Sequence, residues 1–146
     1  MKILILEDSY FMLDLLKREF DDRGWDYDEA NKVVAAKDLY KKNQYDCFII
    51  DLHVDPFGLT EDEFNSYNPY YGWAWFCNYV IKPNEDNASQ WRKKAIIYSK
   101  YTNEFKESNF KYEVQDVIIF DKGEDKSDEK VIKAIERIEK NKNKQF

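Results

Sequence analysis

Cys47-Phe-Ile-Ile-Asp51 decides how this chain is read: four apolar residues run without a break into a carboxylate. The apolar run recurs three times, each time meeting a polar residue. Ile3-Leu-Ile-Leu6 runs into Glu7-Asp8, Ala95-Ile-Ile-Tyr98 into Ser99, and Val117-Ile-Ile-Phe120 into Asp121-Lys122. Short unbroken apolar runs, as opposed to alternating ones, mark strands covered on both faces, as in a parallel sheet. In open parallel sheets chemistry collects beyond the carboxyl ends of the strands. Glu7, Asp8, Asp51, Ser99 and Lys122 are therefore expected together at one edge. Three carboxylates, a hydroxyl and an ammonium suit a divalent metal ion and a phosphoryl group.

Helical patterns separate these runs. Ser9 is read as the cap of a helix through Arg23, with Met12, Leu13, Leu16 and Phe20 at helical spacing and Gly24 as its stop. Asp26 to Ala30 is a polar strand suited to an edge, and Val33 to Lys42 a second amphipathic helix. After Asp51 the rhythm changes. Asp55-Pro56-Phe57-Gly58 reads as a turn, Thr60-Glu-Asp-Glu63 as a capping box, and Asn68-Pro69 as its close. A helix is expected from about Tyr70 to Ile81, ended by Pro83 and a polar loop. A short helix follows near Thr102 to Ser108, and Ser127 is read as the cap of a last one with Val131, Ala134, Ile135 and Ile138 on one face.

Strands alternating with helices imply an α/β architecture with right-handed crossovers. The expected fold is a flavodoxin-like doubly wound five-stranded parallel sheet, order 2-1-3-4-5, in one domain over residues 1–146 with an insertion at about 55–71. In that order the second strand lies at an edge. The other four adjoin, and the polar constellation follows those four, whereas Asn31 and Lys32 after the edge strand carry no comparable chemistry.

Composition excludes several classes. A net charge of −6 argues against a duplex-binding surface, and the basic stretch Lys140 to Lys144 reads as a solvated helix end, so no nucleic-acid partner is expected. Two cysteines, one inside an apolar run, give no disulfide framework and point to a reducing, cytoplasmic setting. The first residues enter a strand directly, so no signal peptide is expected, and no apolar run could span a bilayer. His53 is the sole histidine, which leaves a zinc cluster or a histidine triad without members; it reads as a partly exposed loop residue.

The chemistry favours Mg²⁺, which takes hard oxygen ligands and keeps several waters. Asp8 and Asp51 are the candidate direct ligands, with Glu7 reaching the ion directly or through water. Asp51 is central enough to attack phosphorus as a nucleophile. Lys122 would neutralise a phosphoryl oxygen and Ser99 would hydrogen-bond another. Taken singly, Glu7 and Asp8 could be a charge pair at a helix start, Ser99 an ordinary strand end and Lys122 a solvated loop lysine. Their conjunction in order is what favours the site. The aromatic cluster Tyr67, Tyr70, Tyr71, Trp73, Trp75, Phe76 and Tyr79 exceeds what one helix face must bury. Packing beneath the insertion is preferred over a partner surface, and the insertion is a candidate lid.

At this point the chain resembles the response-regulator receiver family. The residues that carry the likeness are Glu7-Asp8 in Leu4-Ile-Leu-Glu-Asp-Ser9, Asp51 in Tyr45-Asp-Cys-Phe-Ile-Ile-Asp-Leu52, Ser99 in Ile96-Ile-Tyr-Ser99, and Lys122. The resemblance implies phosphorylation of Asp51 by a phosphohistidine donor, from a sensor histidine kinase or phosphotransfer protein. It implies Mg²⁺ held by Asp8, Asp51 and the backbone carbonyl of His53. It further implies signalling by contact with a separate effector or a second copy of the chain, without enzymatic turnover of a small substrate. The chain departs from the family pattern at Gly123, where a proline is usual, at Ile119, where an aromatic is usual, and at Lys100, where a small residue is usual. The aromatic switch is then lost or moved to Phe120 or Tyr101, and Gly72, ahead of Gly58, is the preferred match to the glycine opening the third helix. Two other readings compete. One is a pseudo-receiver acting without phosphorylation. The other is a phosphatase using Asp51, against which Asp55 stands four residues on where an Asp-x-Asp spacing would be needed.

Overall fold

A computed structural model describes residues 1–9, 13–100, 102–111 and 113–144. Five parallel strands, β1 (Lys2–Leu6), β2 (Asp26–Ala30), β3 (Cys47–Ile50), β4 (Ala95–Ser99) and β5 (Ile118–Asp121), form one sheet in the order β2-β1-β3-β4-β5. That is the expected order. Among the described residues the α-helices are α1 (Asp14–Arg23), α2 (Val33–Lys42), α3 (Glu61–Tyr67), α4 (Tyr71–Phe76), α5 (Ala88–Arg92), α6 (Thr102–Lys106) and α7 (Ser127–Asn143). None is long and apolar enough to cross a membrane.

The period of two along each strand divides the core. Leu4, Leu6, Phe48, Ile50, Ala95 and Ile97 pack with α2 and α4, while Ile3, Ile5, Cys47, Ile49, Ile96 and Tyr98 pack with α1 and α7. Both faces are covered, which is why the runs are unbroken. The expected stripe of α7 is buried, and Gly24 ends α1 in the left-handed conformation at φ 69°.

Three boundaries differ from expectation, and a fourth, the start of α1, falls partly outside the described residues. The described part of α1 starts at Asp14, and the Ser9 amide donates to Glu7 Oε1 at 3.0 Å; the amides that Ser9 was expected to cap lie outside the described residues. Met12 lies outside the described residues. β5 starts one residue late and takes in Asp121. Ser127 is the first residue of α7 and not its cap: its Oγ lies 2.7 Å from the buried Tyr98 hydroxyl, and Lys126 at φ 56° turns the chain into the helix. Pro83 does not end the helical segment. After α4 a π-helical turn (Cys77–Ile81) leads into a 3-10 turn (Lys82–Asn87) and α5. Proline sits where a first-turn amide would have no partner, and Asn84 Nδ2 donates to the Val80 carbonyl at 2.7 Å in place of a backbone donor.

The insertion packs on the aromatic helix. Thr60 and Glu63 form both halves of the capping box. Tyr79 donates its hydroxyl to Glu63 at 2.7 Å, and Phe64 stacks on Tyr71 at 5.0 Å. Trp73, Phe76 and Val80 are buried as their spacing implied. Trp75 is buried too, against Tyr40 and Phe48, because α4 is covered on every side.

Candidate functional site

Backbone hydrogen bonds carry the parallel ladder past the strand ends and fix the constellation. Glu7 N–H donates to the Ala30 carbonyl (2.9 Å), Asp51 N–H to Leu6 (2.9 Å) and Lys122 N–H to Ser99 (3.0 Å). Each functional residue is therefore held to the neighbouring strand before its side chain makes any contact.

The side chains then meet. Ser99 Oγ donates to Asp51 Oδ1 at 2.7 Å, and Lys122 Nζ to Asp51 Oδ2 at 3.0 Å. Lys122 also pairs closely with Glu7 Oε2, while the other Glu7 oxygen accepts from the Ser9 amide. Both Asp51 oxygens are thus addressed, one by a hydroxyl and one by an ammonium. Glu7, Asp51 and Ser99 are buried and Asp8 is exposed. Burial, reinforced by the charge of Asp51, pushes the Glu7 carboxyl up to about 7 against the pull of Lys122. Burial would lower Lys122, but Asp51 and Glu7 outweigh it and hold its ammonium above the ordinary lysine range. Burial lowers His53, which favours its neutral form.

Glu7, Asp8, Ser9, Asp51, His53, Lys100 and Lys122 line one cleft of about 290 Å³. No residue of 55–71 is among them. The insertion is tied to α2. Val33 N–H donates to the Asp55 carbonyl (3.0 Å), Val34 N–H to Phe57 (2.8 Å) and Lys37 Nζ to Gly58 (3.0 Å).

Oxygens of Glu7, Asp8 and Asp51 lie within 4.8 Å of one another, a hard donor set with one exposed member where waters can complete a shell. That chemistry fits Mg²⁺. A pH dependence follows. With its folded-state value raised above the usual carboxyl 4.5, Glu7 costs the fold stability as pH rises from there to about 7, and the cost is constant above. A cation in the acidic cluster offsets that cost. Mg²⁺ is therefore expected to raise the melting temperature more at about pH 8 than at about pH 6, and to release protons on binding near neutrality. Equal gains at both pH values in a melting experiment would contradict it.

Sequence reasoning missed two supports of the site. Asp121 accepts from the Gly123 amide (2.7 Å) and the Thr102 hydroxyl (3.0 Å), bracing the Lys122 loop. The Asp-x-Gly pattern over 121–123 was the available signal. The other is the reason for Gly72: its approach to the Asp51 carbonyl leaves no room for a side chain, a closeness that its reading as a helix-opening glycine does not foresee. For the switch position, Ile119 packs with the α2 and α4 side, whereas Phe120 packs with α1 and α7 and cannot take its place. Tyr101, the other candidate, lies outside the described residues.

No family model matches the sequence, and no curated protein matches it. Solved structures do. The chain is similar to the receiver domain of the Francisella response regulator 1452, at 18% identity over 96% of this chain and 98% of that one, with a TM-score of 0.60. It is similar to the Vibrio cholerae chemotaxis protein CheY4, at 17% identity over 94% and 97%, with a TM-score of 0.63. It is also similar to the Thermotoga maritima response regulator TrrA in complex with Mg²⁺ and BeF, at 22% identity over 91% and 97%, with a TM-score of 0.57.

Proposed function

We propose, from the premise that this chain has the fold of a response-regulator receiver domain, that it accepts a phosphoryl group on Asp51 and signals by protein contact. One observation carries the reading: a buried carboxylate at the end of β3 has a hydroxyl on one oxygen and an ammonium on the other. The donor would be a phosphohistidine of a sensor histidine kinase or phosphotransfer protein. The recipient of the signal would be a separate effector or a second copy of the chain.

In this reading an Asp51 oxygen forms the bond to phosphorus while the bond to the donor's leaving group breaks. Lys122, freed from its contact with Asp51, holds one phosphoryl oxygen, and Ser99 donates to another. Asp8, Asp51 and the His53 carbonyl, with Glu7 behind them, would hold Mg²⁺, which when bound neutralises the charge that the transfer brings in. The added group carries roughly −1.5 to −2 charge and pulls Ser99 and the segment after β4 inward. Thr102, in that segment, is bonded to Asp121 beside Lys122, so the movement reaches β5 and α7.

The chemical nature of the adduct tests this. Label taken up from an isotopically labelled small phosphodonor should be lost in mild alkali and to hydroxylamine, as an acyl phosphate requires. Label that survives both would place the group elsewhere and overturn the proposal. A second reading, a pseudo-receiver that binds partners without phosphorylation, is favoured by one observation. With isoleucine at the switch position and Phe120 on the opposite face, the described residues offer no aromatic side chain to swing.

A further inference from the structure

We propose that Lys100 is a second phosphoryl-binding cation, which draws anionic phosphodonors to Asp51 and retains the phosphoryl group once it has arrived. The inference rests on the receiver reading of the site. Lys100 follows Ser99 at the end of β4 and lines the same cleft as Asp51, Asp8 and Lys122. It is exposed and makes no hydrogen bond or ion pair with another described residue. Lys122, by contrast, is held between Glu7 and Asp51. Of the two lysines in the cleft, one is already engaged and the other is available to a ligand.

Charge balance says what the available one is for. One divalent cation, when bound, and the Lys122 ammonium would match the three carboxylates. Transfer replaces the single charge of Asp51 by a phosphoryl group of up to two negative charges. The cleft is then one positive charge short, and Lys100 is positioned to supply it. The same charge acts earlier, because a cleft wall bearing an unpaired cation raises the local concentration of an anionic donor.

The reaction itself balances without a proton from Lys100. With acetyl phosphate, an Asp51 oxygen forms the new bond to phosphorus, the phosphorus–oxygen bond to the acetyl group breaks, and acetate leaves with the electron pair. Hydrolysis reverses the roles: a water oxygen bonds to phosphorus, the Asp51 carboxylate leaves with the pair, and the water proton goes to solvent. Lys100 stabilises negative charge in the first step and shields it from loss in the second.

Phosphorylation of the full chain, followed by intact mass with acetyl phosphate and separately with phosphoramidate, tests this. Lys100→Met should slow uptake from the dianionic acetyl phosphate by about tenfold. The loss should be smaller with phosphoramidate, whose protonated amine lowers its net charge, and should shrink as salt is raised. Lys100→Glu should be slower still, and Lys100→Arg should recover most of the wild-type rate. The phosphorylated Lys100→Met chain should also discharge faster. A binding readout accompanies the rates: beryllofluoride with Mg²⁺, followed by tryptophan fluorescence, should bind Lys100→Met more weakly. Equal rates and affinities in wild type and Lys100→Met overturn the inference and leave the receiver reading standing. Faster uptake from both donors in Lys100→Met overturns it too, since Lys100 would then be an obstruction. No adduct on the folded wild type overturns both.

Discussion

Gly72→Ala is expected to destabilise the protein by at least about 3 kcal/mol, a large share of the roughly 5–15 kcal/mol that holds a domain of this size together. A methyl group at Gly72 would lie 1.9 Å from the Asp51 carbonyl oxygen and 2.9 Å from Ile50 Cγ2. The first obstacle is backbone, which no rotamer change can move aside. α4 would have to lift from β3, breaking the bond from the Gly72 amide to the Leu52 carbonyl (3.1 Å) and opening the seat of Trp73 and Phe76. Asp51 would shift with it. Urea unfolding of the variant measures the loss; a wild-type midpoint would mean that α4 does not approach β3 as described. Gly58 is restricted for a different reason. Its φ of 113° and a 2.8 Å approach to the Val34 amide nitrogen concern only the anchoring of the insertion to α2.

Lys122→Met should cost about 3–5 kcal/mol at pH 8 without Mg²⁺. The methionine retains the length of the chain and removes the cation between Glu7 and Asp51, two carboxylates that are themselves nearly inaccessible to water. Breaking such a pair leaves like charges buried and uncompensated. The sign with pH is opposite to ordinary acid denaturation. Without the lysine, whose charge holds the Glu7 value down, Glu7 takes up its proton at a higher pH than in the wild type, and protonation relieves the repulsion, so the variant should regain stability as pH falls. Mg²⁺ should restore part of it at high pH, and Asp51→Asn in the same chain should restore more. Urea midpoints at both ends of the pH range decide this. A Lys122→Met chain as stable as the wild type at pH 8 would mean that the ion pairs contribute nothing net.

The sheet was legible because its strands are buried on both faces, which forces unbroken apolar runs: Cys47-Phe-Ile-Ile50 can be little else. β2 was legible as an edge for the opposite reason, its polar sequence. The meeting of Glu7, Asp51, Ser99 and Lys122 was legible because strand ends in a parallel sheet leave few alternatives for where their side chains meet. What escaped was tertiary. Nothing local shows that Asn84 would cap the Val80 carbonyl and let helical structure continue past Pro83. Ser127 carries the ordinary mark of a cap, yet the buried hydroxyl of Tyr98, on the sheet face that α7 covers, competes for it. The insertion was visible as an interruption, but its direction was not. Its three bonds to α2 draw it away from the cleft, and they depend on backbone atoms that a sequence does not distinguish.

The central claim is that the Asp51 carboxylate is a phosphoryl acceptor prepared by Ser99 and Lys122. Intact mass after incubation with acetyl phosphate and Mg²⁺, wild type beside Asp51→Asn, tests it most directly. The account predicts a gain of one phosphoryl group on the wild type and none on the variant. An unmodified wild type that is folded and saturated with Mg²⁺ would contradict it and leave the phosphorylation-independent module as the better reading; an equal gain on both chains would contradict it by placing the group on a residue other than Asp51.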